Sequence, residues 1–413
     1  DDELILQDQA VKIRERYGII PGEQFSLGYN LLVGLGFLFI GLSVITLLGA
    51  NWDEIPRWVR MVGLIVLTAT THLTGIRFFK HGDSGKAVAI FFLGNFFYGA
   101  SIILIAQIYH LGEHMPDGVY WWAIGCLPFA VLLRSRIIAL QMMALALIWA
   151  YVETDLGFYP ASFPIFAAAS LYVLVRSEGS AVLFLMVFAS VALWVEFTLA
   201  AYWHPGTVTR FEAEHLTVTA SMFAAAYGLG HWLANRSDPK VKDYGALLGV
   251  WCLRFVILML FVLSFEFSWA ELINAKWDQI SSMSIVAGCF WSLAMLFAFL
   301  TRHYFSLLSF LALFVGTTFL VILVDSDVHA ITFQIIYNIV LIALGIWLIV
   351  RGINSKIGHY FYAGVTTILI TALLRYIDLI GDYVGGAFLF MGMAGILLGA
   401  ARYWKVHLEE QVL

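Results

Sequence analysis

The chain has 413 residues, of which 61% are hydrophobic and 12% are charged, and its net charge is −5. A water-soluble domain carries roughly 25% charged residues, because its surface must be hydrated. Half that fraction excludes an ordinary soluble protein and indicates that lipid is the solvent for most of the chain. The negative charge also argues against nucleic acid as a partner, since phosphate binding requires a basic surface.

Residues 1–25 are predicted to form a short amphipathic helix on the cytoplasmic face of a membrane. Leu6, Ala10, Ile13 and Tyr17 follow one another at helical spacing, and charged residues occupy the other faces. A glycine and a proline then end the pattern.

Apolar runs fill residues 26–405 and predict an all-α, polytopic transmembrane bundle of about 14 spanning helices with short loops. Backbone groups in lipid have to be satisfied internally, so each run long enough to span is expected to be a helix. Three runs, at 119–133, 137–152 and 161–175, are short, which leaves a re-entrant pair open there. A tail at 406–413 follows the bundle. The runs cover about 28–50, 58–77, 87–109, 119–133, 137–152, 161–175, 180–202, 215–234, 243–266, 280–301, 303–324, 330–350, 356–374 and 384–402.

The Lys and Arg residues predict that both termini lie in the cytoplasm. When successive loops are assigned alternately to the two sides of the membrane, all but six of the 23 Lys and Arg residues fall on the same side of the membrane as the N-terminus. Cytoplasmic loops carry an excess of these residues, and the alternation holds at nearly every loop. The exceptions are Arg57, Arg60, Arg210, Lys276 and Arg375 on the outer side and Arg254 within a helix.

The third apolar run carries polar residues on one face. On a helical wheel, Asn95, Gly99, Ala106, Gln107 and His110 fall within roughly one third of the circumference. Two interpretations stay open. The face either lines a water-filled crevice that opens to the outside, or its side chains hydrogen-bond to neighbouring helices.

Charged and amide side chains within other runs are further candidates for an ion or substrate path. Arg254 lies near the middle of a run, where a charge needs a partner or a wet cavity, and Glu196 is the partner that we predict. Gln334 and Asn338 form an i, i+4 pair in the outer half of their run.

No metal site or cofactor is predicted. The outer loops are acidic and contain histidine, but acidic residues accumulate there because basic ones are retained inside. His110 and His114, four residues apart, are weak candidates for a metal site. Gly385, Gly392 and Gly399 recur every seven residues and predict a close-packing seam, either internal or with a membrane-protein partner or second copy.

Four stretches resemble a bacterial family of predicted inner-membrane proteins known as a domain of unknown function. They are YGIIPGEQ at 17–24, ANWDEIP at 50–56, YGASIILIAQIYHL at 98–111 and LRYID at 374–378, and the resemblance is clearest over residues 10–150. It implies a multi-pass protein of the bacterial cytoplasmic membrane and supplies no activity. It directs attention to six residues, which are expected to cluster near the outer rim: Asn51, Trp52, Asp53, Gln107, Tyr109 and His110.

Three functions stay open on this sequence. A transporter or channel for a small polar solute or ion, with an outward-facing polar site, suits the many helices and intramembrane polar groups. A membrane scaffold or envelope assembly factor would instead pair those groups off without a cavity. An intramembrane enzyme for a lipid-linked substrate would need His110 near a carboxylate, and the short loops argue against it.

Overall fold

Every regular element that the structure describes is a helix, which confirms the all-α prediction. The predicted helix at 1–25 and the tail at 406–413 lie outside the described residues. The computed structural model describes residues 55–110, 114, 116–205, 210–302, 304–324, 329–378 and 391–396, with single positions at 32, 35, 36, 39, 43, 46, 398, 399 and 402.

The helices belong to two compact units, Asp1–Thr209 and Arg210–Leu413, here called unit 1 and unit 2. Unit 1 contains α1 (Arg57–Lys80), α2 (Ser84–Tyr109), α3 (Pro116–Leu132), α4 (Arg136–Asp155), α5 (Phe163–Arg176) and α6 (Ala181–Trp203). Unit 2 contains α7 (Ala213–Ala234), α8 (Pro239–Val262), α9 (Glu266–Asn274), α10 (Ile280–Thr301), α11 (Tyr304–Leu323), α12 (Ala330–Ser355) and α13 (Gly358–Asp378).

Seven of these helices are long and apolar enough to cross a bilayer: α1, α2, α4, α6, α8, α10 and α12. They have 20 to 26 residues, and at 1.5 Å per residue they match a hydrocarbon core of about 30 Å. The short run at 137–152 belongs to one of them, because α4 has 20 residues. By contrast, α5 has 14 residues, which span only about 21 Å.

Polar residues in the turns fix where several helices begin. The side chain of Asp83 accepts a hydrogen bond from the Lys86 backbone N–H at 3.2 Å, at the start of α2. Its second oxygen accepts from the Lys86 ammonium at 2.7 Å, and this bond holds the pKa of the Asp83 carboxyl below its ordinary value. Ser135 and Ser180 cap α4 and α6 in the same way.

In unit 1, aromatic rings of one helix are seated on glycines of the next. A Cβ built on Gly99 of α2 would lie 2.0 Å from the Trp122 ring of α3, and one on Gly125 of α3 would lie 2.1 Å from the Tyr98 ring. Gly99 and Gly125 therefore leave room for aromatic rings of the neighbouring helix.

In unit 2, glycines bring helix backbones together. A Cβ on Gly364 of α13 would lie 2.6 Å from the Gly345 carbonyl oxygen of α12, and one on Gly352 would lie 2.4 Å from the Phe361 backbone nitrogen. The seam predicted from Gly385, Gly392 and Gly399 is different. Gly392 and Gly399 face open space within 4 Å, and Gly385 lies outside the described residues. A partner at this seam therefore stays a prediction.

Candidate functional site

Three polar side chains form a hydrogen-bonded relay across α1, α2 and α4 of unit 1: Asn95 and Gln141 are buried, and His72 is partly buried. The Asn95 amide nitrogen donates to Gln141 Oε1 at 3.0 Å, and Asn95 Oδ1 lies 3.4 Å from His72 Nε2. Asn95 is 0% exposed. Transferring an amide from water to an apolar interior without hydrogen bonds costs roughly 2–7 kcal/mol. These two contacts offset that cost for Asn95.

Both ends of the relay stop at backbone carbonyls. Gln141 Nε2 donates to the Phe92 carbonyl oxygen at 3.3 Å, and His72 Nδ1 lies 2.9 Å from the Thr68 carbonyl oxygen. The relay therefore has a hydrogen-bond acceptor at each end and three side chains between them.

The imidazole of His72 is enclosed by aromatic rings and by a glycine. Its ring centroid lies 4.8 Å from that of Phe129 and 6.0 Å from that of Phe91. A Cβ on Gly94 would lie 2.9 Å from the imidazole, so Gly94 leaves the space in which His72 reaches Asn95.

An open groove of about 780 Å³ runs along α1, α2 and α3 and reaches His72. Most of its walls are apolar, and its polar side chains are Thr68, His72, Tyr98 and Ser101. The Thr68 and Ser101 hydroxyls bond to each other at 3.0 Å. At the other end, Ile105 and Ala106 lie in the last turns of α2. The groove thus links the end of a candidate span to a partly buried histidine.

The long apolar helices agree with the family that part of the chain matches. Residues 1–139 match the predicted membrane protein family DUF2157. No curated protein and no solved structure matches the chain. The match confirms the resemblance seen in the sequence at 17–24, 50–56 and 98–111, whereas the stretch at 374–378 lies beyond it.

The DUF2157 segment contains every residue that lines the groove, and Gln141 lies two positions past its end. The predicted rim residues Asn51, Trp52 and Asp53 fall in the same segment but outside the described residues.

The polar face predicted on α2 is not one continuous site. Asn95 is fully buried in the relay, whereas Gln107 and Tyr109 are exposed. Asn95 and Gln107 are separated by about 18 Å along the helix axis. His110 ends α2 in the left-handed conformation, with φ of 54°, and its side chain is exposed.

His114, rather than His110, is the histidine that meets a carboxylate. Its Nε2 lies 2.9 Å from Glu153 Oε2 at the end of α4, and its ring packs edge-on against Phe158. In the part of the chain that the structure describes, no group of three or more His, Cys, Asp or Glu side chains is arranged to hold a metal ion.

Glu196 and Arg254 lie in different units, so their predicted pairing stays a prediction. Glu196 is buried in α6, with 6% of its surface exposed. Arg254 is exposed, and its guanidinium carbon lies 4.9 Å from the centre of the Trp251 ring. This cation–π contact gives the charge a favourable neighbour on its own helix.

The Gln334 and Asn338 pair meets through the backbone. The Asn338 amide donates to the Gln334 carbonyl oxygen at 2.7 Å and to the Ser264 carbonyl oxygen at 2.9 Å. The second bond ties α12 to the end of α8, which is a structural role.

Glu214 is a buried carboxylate that the sequence placed in an outer loop. It lies in the first turn of α7 and is 0% exposed. Its Oε1 accepts from the Gln279 backbone N–H at 2.9 Å, at the start of α10. A carboxylate at a helix N-terminus is favoured by the helix dipole. Glu214 therefore caps a helix that begins 65 residues later.

Proposed function

We propose that the chain is a transporter whose solute binds in the groove between α1, α2 and α3. The observation that carries this proposal is an open groove that reaches a partly buried histidine inside a candidate span. Binding sites for small molecules have volumes of roughly 300–1,000 Å³ and are mostly apolar with a few polar groups. The groove, at about 780 Å³, falls within that range.

The lining of the groove defines the class of solute. Thr68, Ser101 and Tyr98 offer hydroxyls, and His72 offers a ring nitrogen, while isoleucine, alanine and phenylalanine form the walls. We infer a small solute with one hydrogen-bonding end and an apolar body. This narrows the small polar solute or ion expected from the sequence, since apolar walls do not replace the hydration shell of an ion.

The orientation of the groove follows from the positive-inside pattern. With both termini in the cytoplasm of a bacterial inner membrane and about 14 spans, α2 ends at the outer face. The groove then opens outward, and His72 lies toward the cytoplasmic side. This topology is part of the proposal.

Two alternatives each draw on one observation. A scaffold role is favoured by Asn95 and Gln141, which pair with each other as a purely structural network would. An enzyme acting on a lipid-linked substrate is favoured by the His114–Glu153 pair, which has the geometry of an acid–base couple. Neither role requires solute to enter the groove.

A substitution that fills the groove tests the proposal. Ile102 lines the groove, whereas its neighbour Ile103 is exposed outside the lining. Proteoliposomes carrying Ile102→Trp or Ile103→Trp are incubated with a deproteinised bacterial metabolite extract, and internalised solutes are measured by mass spectrometry. We expect the wild type and Ile103→Trp to accumulate at least one common solute over empty liposomes, and Ile102→Trp to accumulate none.

Equal accumulation by both variants would contradict the groove as the binding site. If the wild-type protein accumulates nothing from the extract, the transporter proposal itself is wrong. Matching melting temperatures of the two variants in detergent show that both are folded.

A further inference from the structure

The relay between Thr68 and Phe92 has an acceptor at each end, and this fixes the orientation of every group between them. The Phe92 carbonyl oxygen can only accept, so Gln141 presents its nitrogen to it and its oxygen to Asn95. Asn95 then donates to Gln141, and its own Oδ1 faces His72 Nε2. At the far end, the Thr68 carbonyl oxygen faces His72 Nδ1.

His72 thus meets an acceptor at each of its two ring nitrogens. A neutral imidazole has one N–H donor and one bare nitrogen. If Nδ1 carries the proton, the lone pair of Nε2 faces Asn95 Oδ1. If Nε2 carries it, the lone pair of Nδ1 faces the Thr68 carbonyl. If the Asn95 and Gln141 amides are both turned over, Asn95 donates to His72, but Gln141 Oε1 then faces the Phe92 carbonyl oxygen. Two acceptors still face each other.

We infer that His72 is a proton-binding site, whose second proton completes the relay. The proton is delivered by hydronium in the water that enters the groove: one O–H bond of hydronium breaks, an N–H bond forms at the bare ring nitrogen, and a neutral water molecule is left. Each contact of the relay then has one donor and one acceptor. If the proposed transport function holds, this proton is the coupled ion, and its uptake and release accompany movement of the solute.

The surroundings of His72 suit a cation that comes and goes. The Phe91 and Phe129 rings lie within 6.0 Å of the imidazole, and aromatic rings attract cations. The other titratable groups here are Tyr98 on α2, which lines the groove, and Cys126 on α3, which interacts electrostatically with Tyr98. On α4 the facing group is Gln141, and the residues that line the groove include no Asp, Glu, Lys or Arg.

Nitrogen-15 NMR of histidine-labelled protein tests the inference, with the His72 signals assigned from their absence in His72→Gln. Gln141→Leu frees the Asn95 amide to turn and donate to His72, so a neutral imidazole is then fully satisfied. We expect the wild-type spectrum at neutral pH to show both His72 ring nitrogens protonated, and the Gln141→Leu spectrum to show one protonated and one bare nitrogen. Thr68→Val is the matched control, because it keeps the Thr68 carbonyl and removes only the hydroxyl. Its spectrum should match that of the wild type.

The inference is overturned if wild-type His72 shows one protonated and one bare nitrogen at that pH, or if Gln141→Leu gives the same spectrum as the wild type. The wild-type spectrum decides the point even if a variant fails to fold. Transport is a separate readout. If the protein accumulates solute but His72 is not doubly protonated, the transport function stands and the proton site is wrong. If His72 is doubly protonated but the protein moves no solute, the proton site stands and the transport function is wrong.

Discussion

Replacing Gly364 by alanine is expected to destabilise unit 2 by about 1–3 kcal/mol, as overpacking of a close-packed interior does. The new Cβ would lie 2.6 Å from the Gly345 carbonyl oxygen and 2.8 Å from the Ile349 backbone nitrogen. Both are backbone atoms of α12, so neither can move aside without shifting the helix. For a unit of about 200 residues the melting temperature should fall by roughly 2–4 °C per kcal/mol.

Gly249→Ala is the control for this experiment. Gly249 lies within α8, and a Cβ there meets nothing within 4 Å. A glycine in a helix interior destabilises the helix by about 0.5–1 kcal/mol relative to alanine. The control should therefore melt at or above the wild-type temperature in detergent. If Gly364→Ala and Gly249→Ala have the same melting temperature, the backbones of α12 and α13 are not in close contact at Gly364.

Replacing Glu214 by alanine is also expected to lower the stability of unit 2 strongly. The variant removes the acceptor of the partly buried Gln279 N–H, and a hydrogen bond to a charged group contributes about 1.5–3 kcal/mol. It also leaves a cavity where the buried Glu214 side chain was. Glu214→Gln keeps an oxygen at the same position. We expect the thermal stability to fall clearly in the alanine variant and much less in the glutamine variant.

Hydrogen exchange at the start of α10 gives the same test locally. The Gln279 amide should exchange faster in Glu214→Ala than in Glu214→Gln. Unchanged stability and exchange in the alanine variant would mean that the carboxylate does not cap α10.

The sequence predicted the helices well because hydrocarbon imposes length and composition on each span. The runs at 58–77 and 87–109 correspond to α1 and α2, and Asn95 was selected as a polar residue inside a span. A helical wheel gives the face of a residue and not its neighbours. The contact between Asn95 and Gln141, which is 46 residues away, was therefore not predicted.

Side-chain partners near helix ends were also beyond a one-dimensional pattern. His110 and His114 are four residues apart, yet α2 ends at His110, so the two rings do not share a helical face. Glu153 comes to His114 from the end of α4, and Gln279 comes to Glu214 from the start of α10. Such pairings depend on tertiary packing, which the apolar pattern alone does not encode.

The central claim is that the groove on α1, α2 and α3 is open to water. Thiol labelling in intact membranes with a charged, membrane-impermeant maleimide tests it, on a chain whose Cys126, Cys252 and Cys289 are replaced by alanine. Ile105 lines the groove, whereas Ile103 is 40% exposed outside it and should face lipid. We predict rapid labelling of Ile105→Cys and none of Ile103→Cys. If both thiols stay unlabelled, the groove is closed to water, and the proposed solute site is contradicted.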